Sequence, residues 1–133
     1  PLLQAADLLR APQYKEELRP ALARVADAWQ EGDRLVVYYG SSLPFKYYRT
    51  RHAFADEDII ILERSREDWM PYFQAMDELV AEGGRVWLLF SHVYHEGGAS
   101  EEALLINFLY EQGFGAAEII QEPGASAYLF VLP

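Results

Sequence analysis

The stretch Leu35-Val36-Val37-Tyr38-Tyr39-Gly40-Ser41-Ser42 decides the fold. Five consecutive β-branched, aliphatic and aromatic residues, too few for a helix, stop at a glycine followed by two serines. Such a run predicts a strand covered on both faces, and strands of that kind belong to parallel sheets. Two other segments repeat the pattern, Ile59-Ile60-Ile61-Leu62 and Val86-Trp87-Leu88-Leu89-Phe90.

The segments between these strands read as helices. Leu18, Leu22, Val25, Ala26 and Trp29 make one apolar stripe ending before Gly32. Pro20 belongs in a first turn, which sets the regular start near Glu17. Pro44 to Arg51 reads as a short helix. Asp68 or Ser65 caps the next, and Pro71 favours Asp68. Its inner face is Trp69, Phe73, Met76, Leu79 and Val80, and Gly83-Gly84 ends it. His92 to Gly98 reads as a loop. Ser100 caps a last helix, with Glu101 and Glu102 at the positive end of its dipole and Leu104, Leu105, Phe108 and Leu109 inward. Residues 117–121 and 127–132 then form an antiparallel hairpin around Glu122-Pro123-Gly124.

Strands alternating with helices predict an α/β, three-layer Rossmann-like sandwich. Right-handed crossovers suggest a mostly parallel five-stranded sheet in the order 2-1-3-5-4, with strand 5 antiparallel. No repeat, low-complexity tract or linker interrupts it. Residues 1–13 read as a lead-in segment and 14–133 as a single domain.

Composition narrows the function. Among 133 residues, 11 Lys and Arg face 21 Asp and Glu, a formal charge of −10. Such a surface repels phosphate backbones, so no nucleic-acid partner is expected. The absence of cysteine excludes disulfides, thiolate metal sites and cysteine nucleophiles. No apolar run reaches the ~18–20 residues of a membrane span. Pro1 at the start suggests a piece of a longer protein.

Ligands of open parallel sheets gather at the carboxyl ends of strands, where strand order reverses. That point lies between strands 1 and 3. It brings together Tyr39, Ser41 and Ser42 from one loop and His92, Tyr94, His95 and Glu96 from the other, with Tyr47 and Tyr48 close behind. A nucleotide cradle is poorly supported, because neither glycine-rich phosphate motif is present. His92, His95 and Glu96 have metal-ligand types without a metal-site spacing, and histidines in a polar loop are more often merely solvated or hydrogen-bonded. Ser41 or Ser42 with His92 and Glu96 is a triad by type, without the usual elbow around the serine. Phe45 to His52 is the one basic, aromatic patch. Its rings would stack on sugars and its arginines hold phosphate, or its rings face the core while its arginines pair with Asp56, Glu57 and Asp58. Trp29, Trp69 and Trp87 read as packing, and Glu63 to Asp68 as a solvated turn.

Lys15-Glu16-Glu17-Leu18-Arg19-Pro20, Gly32-Asp33, Val36-Val37-Tyr38-Tyr39-Gly40, Phe45 with Tyr47-Tyr48, Arg85 to His92, and Pro123-Gly124-Ala125-Ser126-Ala127-Tyr128-Leu129 follow one another in a familiar order. Together they resemble the C-terminal soluble domain of polytopic bacterial membrane glycosyltransferases similar to dolichyl-phosphate-mannose–protein mannosyltransferases. The resemblance covers Tyr14 to the end. It implies a non-catalytic accessory domain on the periplasmic face of the inner membrane, partnered by its own membrane-embedded domain and by a polyprenyl-phosphate sugar or acceptor. No catalytic residue carries over, and no cofactor or metal is implied. The ligand contacts expected are Tyr39, Ser41, Ser42, Tyr47, Tyr48, His92, Tyr94 and His95. The alternatives are an interaction module docking through Pro1 to Ala11, a free-standing small-molecule-binding domain, and a weak hydrolase using Ser41 or Ser42 with His92.

Overall fold

The computed structural model describes residues 13–96 and 99–133, with the side chains of 13–17, 95, 96 and 99 outside the description. The lead-in segment expected at 1–13, including the docking stretch Pro1 to Ala11, therefore lies almost wholly outside the described residues.

Five strands form the sheet. They are β1 (Arg34–Val37), β2 (Ile59–Ile61), β3 (Gly84–Ser91), β6 (Ala116–Glu122) and β7 (Ala125–Leu132), in the spatial order β2-β1-β3-β7-β6. In chain order this is 2-1-3-5-4, the expected arrangement. β1 pairs parallel with β2 and β3, while β7 is antiparallel to both β3 and β6. The register is continuous from Leu35 opposite Trp87 to Trp87 opposite Leu129. β4 (His95–Glu96), inside the segment expected to be a plain loop, pairs with β5 (Ala99–Ser100) just after it in a separate two-stranded ribbon.

Successive strand residues alternate between two apolar layers, as the pleat requires. Val36, Tyr38, Val86, Leu88, Phe90, Tyr128 and Phe130 pack on one side. Their cover is α3 (Met70–Glu82) and α4 (Glu101–Glu111). Leu35, Val37, Trp87, Leu89 and Leu129 pack on the other, under α1 (Gln13–Ala28) and α2 (Ser42–Tyr48). The result is an α/β/α sandwich.

Several sequence expectations are corrected in detail. α1 begins at Gln13 and carries Pro20 in its interior. An interior proline costs about 3 kcal/mol. Burying each large side chain of the Leu18, Leu22 and Val25 stripe returns about 1.5–3 kcal/mol, so packing prevails. Asp68 does not cap α3; its Oδ1 accepts from the Met70 amide at 3.0 Å, and Trp69 stands at the cap position without a side-chain bond. Tyr72, not Phe73, is the fully buried aromatic of α3, while Phe73 stacks on Phe108 at 4.9 Å. β2 is an edge strand and only partly buried. Ser100 does cap α4, accepting from the Ala103 amide at 2.9 Å. In the β6–β7 turn, Gly124 takes a φ of +84° after Pro123, the type II geometry that an L side chain resists.

Candidate functional site

The carboxyl ends of β1 and β3 do meet. Ser41 Oγ lies 2.9 Å from Ser91 Oγ, which donates to it, and the Tyr38 amide donates to the Leu89 carbonyl at 3.0 Å. Gly40 is what permits this contact. A Cβ there would stand 2.7 Å from the His92 carbonyl oxygen and 2.9 Å from that of Ser91. The glycine therefore serves the close approach of two pieces of backbone, and it leaves no glycine-lined cradle for a phosphate.

At the heart of this edge sits Glu101, the first residue of α4, only 1% exposed. Its Oε1 accepts from Tyr38 Oη at 2.5 Å and from Tyr39 Oη at 2.9 Å. Each phenol is oriented from behind. The Tyr94 amide donates to Tyr38 Oη at 3.0 Å, and Arg66 Nε donates to Tyr39 Oη at 2.6 Å. Amide and guanidinium N–H groups cannot accept, so both phenolic protons must point at the carboxylate. Two N–H→O–H→O chains thus converge on one oxygen. Glu101 Oε2 is buried without a hydrogen-bond partner. Leaving such an acceptor unpaired costs about 1–3 kcal/mol, more for a charged group.

Arg66 closes the cluster from outside. Its guanidinium lies 4.0 Å from the Tyr94 ring centroid and 5.4 Å from that of Tyr39, the geometry of cation–π stacking. Beside it opens a cleft of about 520 Å3 lined by Arg64, Arg66, Glu67, Asp68, Trp69 and Tyr94. Trp69 Nε1 is a second buried polar atom without a partner. A neighbouring carboxylate, Glu102, accepts from Ser126 Oγ at 2.6 Å and Tyr128 Oη at 2.5 Å. It borders a separate cleft of about 450 Å3 between α4 and the β6–β7 hairpin.

The phenols respond to this setting. Burial raises the pKa of Tyr38, and its bond to Glu101 adds to the rise. Burial likewise raises Tyr128, with Glu102 adding to it. Burial raises Tyr72 too; the Ser65 amide bond opposes this, and the charge of Glu101 and a hydrogen-bonding contact with its carboxyl reinforce the rise. Below about pH 10 all three are protonated in both folded and unfolded chains. Above it the unfolded chain releases protons that the folded chain retains, so stability falls as pH rises. The expected slope is about 1.4 kcal/mol per pH unit for each of the three phenols. Urea midpoints measured between about pH 9 and pH 11 should drop accordingly. Tyrosinate absorbance developing in the folded protein without that drop would contradict the burial of these hydroxyls.

The residues singled out in the sequence divide into three groups. Tyr39 and Tyr94 belong to the Glu101 cluster. Ser41 is buried and bonded to Ser91, Ser42 begins α2, and His92 lines a small cleft with Gly40, Leu43 and Pro44, its φ at +50°. Tyr48 is buried against the other face of the sheet, with Arg51 over its ring at 5.0 Å, and Tyr47 stands 49% exposed, edge-on to Tyr48. Arg49 pairs with Asp56. His95 is placed by its backbone opposite Ser100; its side chain and that of Glu96 lie outside the description. Among the described residues no group of three His, Cys, Asp or Glu side chains could hold a metal. Sequence reasoning did not reach Glu101 as a buried acceptor, nor Arg66, which it left in a solvated turn. The available signal was the capping position of Ser100, which places Glu101 at the sheet edge beside Tyr38 and Tyr39.

No family model and no curated protein matches the chain. A solved structure that aligns with it is that of a release factor-specific protein-(glutamine-N5) methyltransferase from Alicyclobacillus acidocaldarius. The alignment covers 96% of this chain and 97% of that chain, at 15% identity and a TM-score of 0.48. The mannosyltransferase resemblance is corrected by this result, since the aligned structure is a methyltransferase and not a glycosyltransferase domain. The accessory-domain role, the partner membrane domain and the polyprenyl-phosphate sugar or acceptor fall with it. The periplasmic placement loses its basis in the resemblance. No described helix is long and apolar enough to cross a membrane. At this identity and TM-score the alignment carries no activity over to the chain.

Proposed function

We propose that the edge formed by the carboxyl ends of β1 and β3 is a binding site for a small polar molecule, with Glu101 as its recognition group. The observation that carries this reading is the unpartnered Oε2 of a carboxylate that is 1% exposed, beside an Oε1 that takes two oriented phenols. A buried polar group left half-satisfied is unfavourable for folding alone, and a ligand or bound water that supplies the missing bond would account for it. The ligand therefore presents a hydroxyl or ammonium donor to Glu101. Tyr38 and Tyr39 position the carboxylate, and Arg66 with Tyr94 forms the outer wall.

Ethanolamine carries both donor types and makes a direct probe. Titrating the protein with it at millimolar concentration should shift the amides of Tyr39, Arg66, Tyr94 and Glu101. Glu101→Gln should abolish those shifts while preserving the rest of the spectrum. Shifts that survive in the variant, or none in the parent protein, would overturn this reading.

A further inference from the structure

Independently of the Glu101 edge, we infer that the cleft between α4 and the β6–β7 hairpin is a second site, which takes an aliphatic primary ammonium ion with its charged head on Glu102 and its carbon arm across Tyr110 and Ile119. Three elements build this cleft of about 450 Å3. α4 supplies Glu102, Ile106 and Tyr110, spaced at i, i+4 and i+8 and hence on one face of the helix. β6 supplies Ile119 and β7 supplies Tyr128. Two large apolar side chains that stay exposed, Tyr110 at 41% and Ile119 at 48%, border the same cleft. A hydrocarbon arm laid across them would remove apolar surface from water, which is favourable in proportion to the area covered.

Among the described residues Glu102 is the one charged side chain in the lining. Ser126 Oγ and Tyr128 Oη both donate to its Oε2, at 2.6 Å and 2.5 Å. These bonds fix the carboxylate, and its Oε1 accepts from no described residue. The buried polar side-chain atoms without a partner are Trp69 Nε1 and Glu101 Oε2, so Glu102 Oε1 is open to solvent. An ammonium carries three N–H donors and no acceptor, which suits that oxygen. Tyr110 and Tyr128 add aromatic rings, whose faces attract cations. The positive end of the α4 dipole amounts to about half a charge, less than the full charge of the carboxylate beside it. An anion would meet Glu102 with no cation in the lining to offset it. A cation without a carbon arm would leave Tyr110 and Ile119 uncovered.

The test titrates n-butylammonium, methylammonium and n-butanol separately at millimolar concentration, followed by amide NMR shifts. n-Butylammonium should shift the amides of Glu102, Asn107, Tyr110 and Ile119. Methylammonium lacks the arm and n-butanol lacks the charge, so each should bind at least about tenfold more weakly, equivalent to about 1.4 kcal/mol. Glu102→Gln keeps a carbonyl oxygen for Ser126 and Tyr128. It should weaken n-butylammonium by about tenfold and leave n-butanol unchanged. Ile119→Ala trims an exposed side chain of an edge strand. It should weaken n-butylammonium by about fivefold and leave methylammonium unchanged. Nα-acetyl-lysine amide presents the same arm from a peptide backbone. Tighter binding than n-butylammonium would support the site as one for a protein's lysine, and weaker binding as one for a free amine. n-Butanol binding as tightly as n-butylammonium, or an n-butylammonium response unchanged in Glu102→Gln, would overturn the inference. So would shifts confined to Tyr39, Arg66 and Tyr94, which belong to the Glu101 edge, or no shifts at all.

Discussion

Replacing Asp33 with alanine should destabilise the fold by about 3–5 kcal/mol, the range for breaking a buried ion pair by removing one partner. Asp33 is fully buried at the entrance to β1. Its Oδ1 accepts from Arg85 Nε at 2.6 Å, and its Oδ2 from Trp87 Nε1 at 2.9 Å and the Gln30 amide at 3.0 Å. Arg85 Nη2 reaches the same Oδ2 at 3.3 Å. One carboxylate thus ties the turn after α1 to the start of β3. Truncation would leave the Trp87 indole N–H and the Gln30 amide without acceptors, whereas the Arg85 side chain, about a quarter exposed, keeps some hydration. Asp33→Asn retains an oxygen for Trp87 but turns an amide N–H2 toward donors, so an intermediate loss is expected. The check is urea unfolding, with the midpoint falling and the slope unchanged. A midpoint equal to that of the parent protein would show that the cluster is not a stabilising tie.

Phe90→Ala should cost a similar amount, about 3–5 kcal/mol, through the cavity it leaves. The ring is buried, with its centroid 5.5 Å from that of Tyr38 and 5.9 Å from that of Tyr128. It therefore separates and supports the two phenols that serve Glu101 and Glu102. Beyond the stability loss, the variant should loosen Tyr38 and reduce the ethanolamine response at the sheet edge. Phe90→Leu refills most of the volume and should lose less than about 1.5 kcal/mol. Equal losses for alanine and leucine would mean that ring contacts, and not volume, hold these phenols in place. A loss below about 1 kcal/mol for alanine would mean that the layer collapses around the gap without harm.

The strand order was legible because it follows from local signals combined with a general rule. Val36-Val37-Tyr38, Ile59-Ile60-Ile61 and Val86 to Phe90 announce strands by content and length, and right-handed crossovers place them side by side. Pro123-Gly124 announces the hairpin. Where boundaries slipped, as at Pro20, burial of the helix face outweighed the local preference of one residue. Tyr72 displaced Phe73 from the core because its hydroxyl found a partner in the Ser65 amide at 3.1 Å, which lets a polar ring be buried.

The candidate site was legible only in outline. The switch between β1 and β3 pointed to the edge of the sheet where Tyr39 and Tyr94 stand. It said nothing of Glu101, 62 residues beyond Tyr39, or of Arg66, 27 beyond it. In the sequence a glutamate in a first helical turn has a sufficient explanation in the helix dipole. An arginine between Ser65 and Glu67 has one in solvation.

By itself, then, the chain's order of residues determined the layers, the strand order, the hairpin and the capped start of α4, because each depends on neighbours within a turn or a strand. Tertiary structure alone decided which carboxylates are buried and which of their oxygens lack partners. Those properties depend on groups far apart in sequence that only close packing brings within hydrogen-bond reach, and the low polarity of their surroundings strengthens each bond that an ordinary surface residue type makes there.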